Sequence, residues 1–446
     1  MPAFDLKQSI VTGVLAGLLV LLACVAPASA AEFRDSDRAH AITMLRDLQR
    51  EVAEKYFDPA FKGVDLAANA EVAKGRIAKA TSIGETFSAL AQFLLELDDS
   101  HTFFVPPRQT TVVEYGWKMG IVGDDCRVVQ VKQGSDAERQ GVSRGDLVKS
   151  VNGLKPTRET LWRLNYLFAV LRPQPGLHVE LVSAKGVARE LDLAADVRQV
   201  KRVVALTGAD AGFDIARIYD EQAKASRRDK PVIAELGKQV LVVRLPTFTL
   251  EEDEMRQLTH RALGHESLVL DLRGNHGGLL KSLQALLGGI YASDATIGTL
   301  RERAQSTPLV AKGSGKDAFG GRVFVLVDAE SASAAELFAR VVQLTERGAV
   351  IGDRSEGAVM TARYHPLVVS HGENVIAYGV MVAEADTIMA DGKRLEKRGV
   401  VPDFVVLPTA EDMAAHRDPA LAQALKFAGH PLDPVAAGAL LPTPAE

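Results

Sequence analysis

The stretch Val323-Phe324-Val325-Leu326-Val327-Asp328-Ala329-Glu330-Ser331-Ala332-Ser333-Ala334-Ala335-Glu336 decides how the rest of the chain is read. An apolar, largely β-branched run (Val323 to Val327) stops at small residues, and a helical pattern begins at Ala335. That is a buried strand feeding a helix through a tight turn. A serine on such a turn carries its hydroxyl at the strand's end, beside first-turn N–H groups that lack intrahelical acceptors. An acyl-transfer enzyme needs both things, an exposed nucleophile and donors for the oxyanion that forms on attack. The same residues also suit plain helix capping by Ser331 or Ser333, which this segment alone does not exclude.

Around this centre, 446 residues suggest two or three domains. A composition of 47% hydrophobic and 24% charged residues is that of a globular protein with ample core. A formal net charge of −5 and the lack of any Lys/Arg-rich block argue against a nucleic-acid partner. With two cysteines, neither a disulfide framework nor a cysteine zinc site is available. The ten histidines show no HExxH-type spacing, so no metal or other cofactor is expected.

Residues 1–30 read as a signal peptide. Ile10–Val25 is almost wholly apolar, Lys7 precedes it and Ala28-Ser29-Ala30 offers a small-x-small cleavage site. Leu21-Leu22-Ala23-Cys24 resembles a bacterial lipobox, which keeps lipid attachment at Cys24 as an alternative. Either route exports the product to the periplasm or beyond, and after cleavage Cys126 is the remaining thiol. No later segment is long and apolar enough to span a membrane.

Residues 31–108 carry helical periodicity, with Ile42, Leu45, Leu48 and Val52 in one run and Phe87, Leu90, Phe93, Leu94 and Leu97 in another. His101 follows Asp98-Asp99-Ser100 directly, and Phe103-Phe104-Val105 looks extended. Residues 109–200 change to short β patterns: strands at Arg127–Val131, Leu147–Val151, His178–Val182 and Ala188–Leu193, with a turn at Asn152-Gly153. A polar linker is expected over 201–235. Alternating strands and helices over 236–410 then indicate an α/β core with a largely parallel sheet. A last helix and a disordered Pro/Ala-rich end are expected over 411–446.

Two further segments share the chemistry of Ser331–Glu336. Asp271-Leu272-Arg273-Gly274-Asn275-His276-Gly277-Gly278 is a strand end opening onto a glycine turn whose N–H groups can approach a ligand. It lacks the Lys-Ser/Thr pair of a P-loop. Arg394 to Asp403, reading RLEKRGVVPD, is the other segment.

The order YFDPAFKGVD (56–65), DSHTFF (99–104), the β-rich segment, DLRGNHGG (271–278), ESASAAE (330–336), RGVVPD (398–403) and DPALAQAL (418–425) resembles the carboxyl-terminal processing, or tail-specific, protease family and its tricorn-like relatives. The resemblance implies an α/β protease core with an N-terminal helical domain and an inserted PDZ-like β domain. It implies that Ser333, not Ser331, is the nucleophile, with oxyanion donors at Gly277, Gly278 and the N–H of Ala334. It also makes Lys118-Met119-Gly120-Ile121 a loop that holds a substrate's terminal carboxylate, the peptide adding as a strand.

One position departs from the family. Where processing proteases carry a lysine base, Gly352-Asp353-Arg354-Ser355-Glu356-Gly357-Ala358-Val359 offers Ala358, which takes no proton. The tricorn-like branch instead uses a histidine in a D-x-H-T turn and a later glutamate; here those are His101 and Glu396. A histidine has the right ordinary pKa for a base, and a carboxylate on its far nitrogen stabilises the imidazolium. His276 is a rival base and Lys281 a weaker one. The expected function is therefore an exported serine endopeptidase acting on polypeptides, recognised through their C-termini. The alternative is an inactive PDZ-bearing adaptor or carrier of apolar ligands on the same scaffold. Oligomeric state is not legible.

Overall fold

The structure is a computed structural model that describes residues 33–107, 111–199, 230–371 and 374–441. The expected leader with Cys24, and the expected linker from 201 to 229, lie outside those residues.

Three helices open the described chain: α1 (Asp35–Lys55), α2 (Leu66–Lys79) and α3 (Ile83–Leu95). Asp65 caps α2 by accepting the N–H groups of Ala67 and Ala68, and Ser82 caps α3 by accepting that of Glu85. The buried face of α1 (Ala41, Met44, Leu45, Leu48, Val52) does not close a core of its own. It packs with α2 and α3 on Val369, Tyr378, Val380 and Val382, far along the chain. The helical segment expected to be a separate domain therefore shares its core with a later hairpin, because three short amphipathic helices leave an apolar face that needs cover.

Strand β1 (Phe103–Val105) follows, then β2 (Thr111–Glu114), which pairs with β8 (Asp196–Gln199). Between them lie β3 (Trp117–Val122), β4 (Asp125–Val131), the turn helix α4 (Asp136–Arg139), β5 (Leu147–Val151), α5 (Leu161–Tyr166), β6 (Gly176–Val182) and β7 (Ala188–Ala194). The five long strands form an antiparallel sheet in the order β3-β4-β5-β6-β7. Lys118–Ile121 is not the expected loop. It lies within β3 and pairs with β4, because Trp117, Met119 and Ile121 alternate into the core while Lys118 faces out.

The α/β core comprises β9 (Val232–Leu236), β10 (Val240–Arg244), α6 (Glu252–Ala262), β11 (Ser267–Asp271), α7 (Leu280–Ile290), β12 (Ala295–Glu302), β13 (Ser306–Ala311), β14 (Arg322–Val327), α8 (Ala334–Leu344), β15 (Gly348–Gly352), β16 (Thr361–His371), β17 (Asn374–Met389) and β18 (Phe404–Val405). Six of these strands form one sheet in the order β18-β15-β14-β11-β10-β9, parallel except for β9. Period-two burial covers both faces. Leu241, Val243, Leu268, Leu270, Val323, Val325 and Val327 meet α6, α7 and α8, while Val240, Val242, Val269, Phe324 and Leu326 meet the C-terminal helices.

Two expectations fail here. Val232–Leu236, placed within the linker, is the edge strand β9. Over 410–441 the chain holds three helices instead of the one expected, α9 (Ala410–Ala414), α10 (Pro419–Phe427) and α11 (Pro434–Leu440), and the last five residues of the expected loose end lie outside the described residues. Asp418 and Asp433 cap the last two, each followed by a proline at the first helical position, so those prolines start helices rather than signal disorder. A second sheet, which the sequence reading misses at β12 and β13, runs β1-β17-β12-β13 with β16 also on β17.

Candidate active site

Ser333 sits at the carboxyl end of β14, where α8 begins, with φ of 54° and ψ of −120°. A non-glycine residue in that region stores about 1–3 kcal/mol of strain, which the surroundings must hold. They do so through several bonds. The Ser333 N–H donates to the carbonyl of Ala358 at 2.8 Å and to Glu336 Oε2 at 3.1 Å. The neighbouring Ala332 N–H donates to the Asn275 carbonyl at 2.9 Å. Glu336, fully buried, also accepts from the Ser355 hydroxyl and from the N–H groups of Gly357 and Ala358, so it clamps the 355–358 turn against the Ser333 turn. Burial pushes its carboxyl up to about 7 against the pull of those donors. The sequence reading quoted Glu336 but gave it no task.

Ser331 is fully buried and its hydroxyl is engaged, donating to the Leu272 carbonyl and accepting from the Asp328 N–H. Ser333 is half-buried, and it forms a capping box with Glu336 at the start of α8.

Strand β11 lies beside β14 in parallel register, so the turn after Asp271 opens next to Ser333. Gly277 has φ of 89°, and a Cβ there would lie 2.5 Å from Ser333 Cβ and 3.0 Å from the Ala334 nitrogen. Only glycine allows that approach. Its N–H, however, donates to Asn275 Oδ1 at 2.8 Å, so Gly277 shapes the expected oxyanion site without a free donor. Among the described residues, the N–H groups of Gly278 and Ala334 have no acceptor and remain available.

His101 reaches this region through β1, which pairs antiparallel with β17. The loop after β17 brings Glu396. Glu396 and His101 do not touch directly. His101 Nδ1 lies 2.6 Å from the Ser100 hydroxyl, which donates to Glu396 Oε2 at 3.0 Å; the Ser100 N–H donates to Oε1 at 2.8 Å. With the Ser100 proton directed at Glu396, Nδ1 carries the proton it donates to Ser100, and Nε2 keeps its lone pair. Glu396 Oε2 also accepts the Val359 N–H at 3.0 Å, one residue from the carbonyl that holds Ser333. Lys397 binds Asp98 at 2.9 Å and ties the two loops together. Among the described residues no hydrogen bond joins the imidazole to Ser333 Oγ.

Burial dominates the electrostatics here. It lowers the His101 pKa from its ordinary value, with Asp99 opposing, and raises that of Glu396. Burial also takes Glu330 and Glu356 up to about 7, the latter moderated by the charge of His276. His276 and Lys281 are exposed, and Ala358 brings no amine to the site. Among the described residues no group of metal-ligating side chains forms a site. Ser100 escaped the sequence reading because a serine before a histidine carries no distinguishing signal; only the distant glutamate gives it one.

Residues 239–406 match peptidase family S41. The chain is 26% identical to the tail-specific protease of Haemophilus influenzae over 58% of its own length and 36% of that protein's, so it spans well under half of that relative. It is 24% identical to the carboxyl-terminal-processing protease of Synechocystis sp., over 72% of this chain and 71% of that one. Mature CPAF complexed with lactacystin has a similar fold, with a TM-score of 0.62 at 15% identity, over 85% of this chain and 96% of that one. Residues 239–406 are thus similar to peptidase family S41, and the chain as a whole is similar to proteins named tail-specific and carboxyl-terminal-processing proteases.

Proposed function

We propose that this chain is an exported endopeptidase that cleaves polypeptides through an acyl-enzyme on Ser333, with His101 as general base. The observation that carries the reading is the chain of contacts from the strained Ser333 turn through Ala358, Val359, Glu396 and Ser100 to the imidazole. Nε2 takes the Ser333 proton as the oxygen attacks a peptide carbonyl, and returns it to the leaving amine. Ser100 passes the influence of Glu396 to the ring, fixing its tautomer. Gly278 and Ala334 donate to the oxyanion. The imidazole closes on Ser333 Oγ as substrate fills the cleft, since catalytic hydrogen bonds often tighten only in the complex.

The β3–β7 sheet serves as the PDZ-like module. It captures a substrate's C-terminus by strand addition along β3, which ends the sheet among the described strands. The apolar leader over Ile10–Val25 supports export.

Fluorophosphonate labelling tests the reading without a known substrate. Wild-type protein should label, Ser333→Ala should not, and His101→Ala should label about 10²–10⁴-fold more slowly. Activity needs the neutral imidazole, and burial lowers its pKa. The rate should therefore fall on acidification only below the ordinary histidine range near about 6.5. Folded wild-type protein that never labels would indicate the inactive adaptor, and full labelling of His101→Ala would remove His101 as base.

A further inference from the structure

The turn that presents His101 is built around a carboxylate outside the proposed relay. Asp99 is 4% exposed. Its Oδ1 accepts the N–H of His101 at 2.8 Å and that of Thr102 at 2.6 Å. Its Oδ2 accepts the phenol of Tyr56 at 2.9 Å. Tyr56 is the residue that ends α1, with no exposed surface, and it is anchored on both sides. Its carbonyl accepts from Arg303, and the next N–H, of Phe57, donates to the Ala383 carbonyl on β17. Thr102 in turn holds β17 through the Ala383 N–H. Asp99 is thus locked by its own turn and by the end of α1, and Tyr56 is a neutral donor whose ionisation burial and Asp99 both oppose.

We propose that Asp99, locked by the Tyr56 phenol, is a positioning residue for His101 that holds the imidazole in place and stabilises its protonated form. This rests on the reading of His101 as the base. The charged groups around the ring are few. Asp99 lies on its own turn, and Glu396 acts through Ser100 from the loop after β17. Asp98 is already matched by Lys397 and Arg163, and Lys62 binds the Asp98 carbonyl. Of these, Asp99 makes a direct bond to the residue that carries the imidazole, and its charge is the one that opposes the effect of burial on the ring. Asp99 touches the backbone of His101 rather than the ring, and its nearby negative charge favours the protonated imidazole.

Two near-isosteric variants separate this role from simple scaffolding. Asp99→Asn keeps an acceptor for both N–H groups but removes the charge, so the acid limb of the labelling rate should move down by about one unit or more. Tyr56→Phe removes the donor that offsets the Asp99 charge, so its limb should move up, with a smaller loss of rate. The measurement is the second-order rate of fluorophosphonate labelling of the full chain against pH, with melting curves for each variant and His101→Ala alongside. Limbs that move in opposite directions support the proposal; limbs that stay put or move together overturn it. Should Asp99→Asn fail to fold, the direction of the Tyr56→Phe limb decides. Retained labelling in His101→Ala would sink the base assignment itself, a separate result from unmoved limbs beside a dead His101→Ala.

Discussion

A single hydroxyl, that of Ser100, separates Glu396 from the imidazole it was expected to touch. The Ser100 hydroxyl lies 2.6 Å from His101 Nδ1 and donates to Glu396 Oε2 at 3.0 Å, so in the proposed mechanism Glu396 would set the ring's tautomer at second hand. Replacing Ser100 by Ala should lose a hydrogen bond to a charged group, worth about 1.5–3 kcal/mol. In rate that is on the order of 10–100-fold. Labelling kinetics would show it, and the melting temperature should fall only modestly because the turn keeps its Asp99 bonds. A variant as fast as wild type would mean that Glu396 acts without the hydroxyl. The four conspicuous residues Ser333, Ala358, His101 and Glu396 were legible because each sits in a recognisable local pattern. Ser100 and Glu336 were not, since their partners lie 296 and up to 22 positions away.

At the level of elements, the site is the meeting of two parallel strand ends with one long antiparallel strand. β11 and β14 deliver the glycine turn and Ser333 side by side, and β17 carries β1, which follows His101, on one edge and the Glu396 loop at its end. The close fit of the first pair rests on Gly277. Gly277→Ala should introduce a clash with the Ser333 Cβ and force a left-handed alanine, costing about 1–2 kcal/mol from backbone conformation alone. Labelling should be lost more completely than stability, as judged by a urea midpoint beside the rate. An alanine variant that labels normally would show that the turn has room the distances deny. Strands β10, β11, β14 and β15 were legible as apolar runs bounded by turns. β12 and β13 were not, because Thr, Gly, Arg and Glu interrupt them and their pairing with β17 is what makes them strands.

Across the whole molecule, the two ends of the chain bracket the protease core. The helices α10 and α11 seal one face of the parallel sheet, and Asp418 reaches from the cap of α10 to Arg273 with two bonds, at 2.9 and 2.7 Å. Arg273 also holds Asp271, which has no exposure, and it directly precedes the glycine turn at 274–278. The pair is largely buried, with side-chain exposures of 22% and 14%. Removing one partner from such a pair costs about 3–5 kcal/mol. Asp418→Ala should therefore lower stability by roughly 2–4 kcal/mol in urea unfolding, discounted for the exposure that remains. Labelling should fall with it, since the turn loses its anchor. A variant with unchanged midpoint would show the C-terminal helices to be passive cover.

The sequence by itself determined the parallel core and the strand-turn-helix at Ser331–Glu336, which are matters of local period and turn chemistry that neighbours along the chain settle. The choice of Ser333, Ala358 and His101 as the positions that matter came from motif resemblance. Only the tertiary structure decided that Lys118–Ile121 is a strand, that the first helices share a core with β16 and β17, that Gly277 lacks a free donor, and that Ser100 joins His101 to Glu396. Each of these depends on a partner far away in sequence. A hydrogen bond or an apolar face takes its role from what lies opposite it in space, and one-dimensional spacing does not contain that.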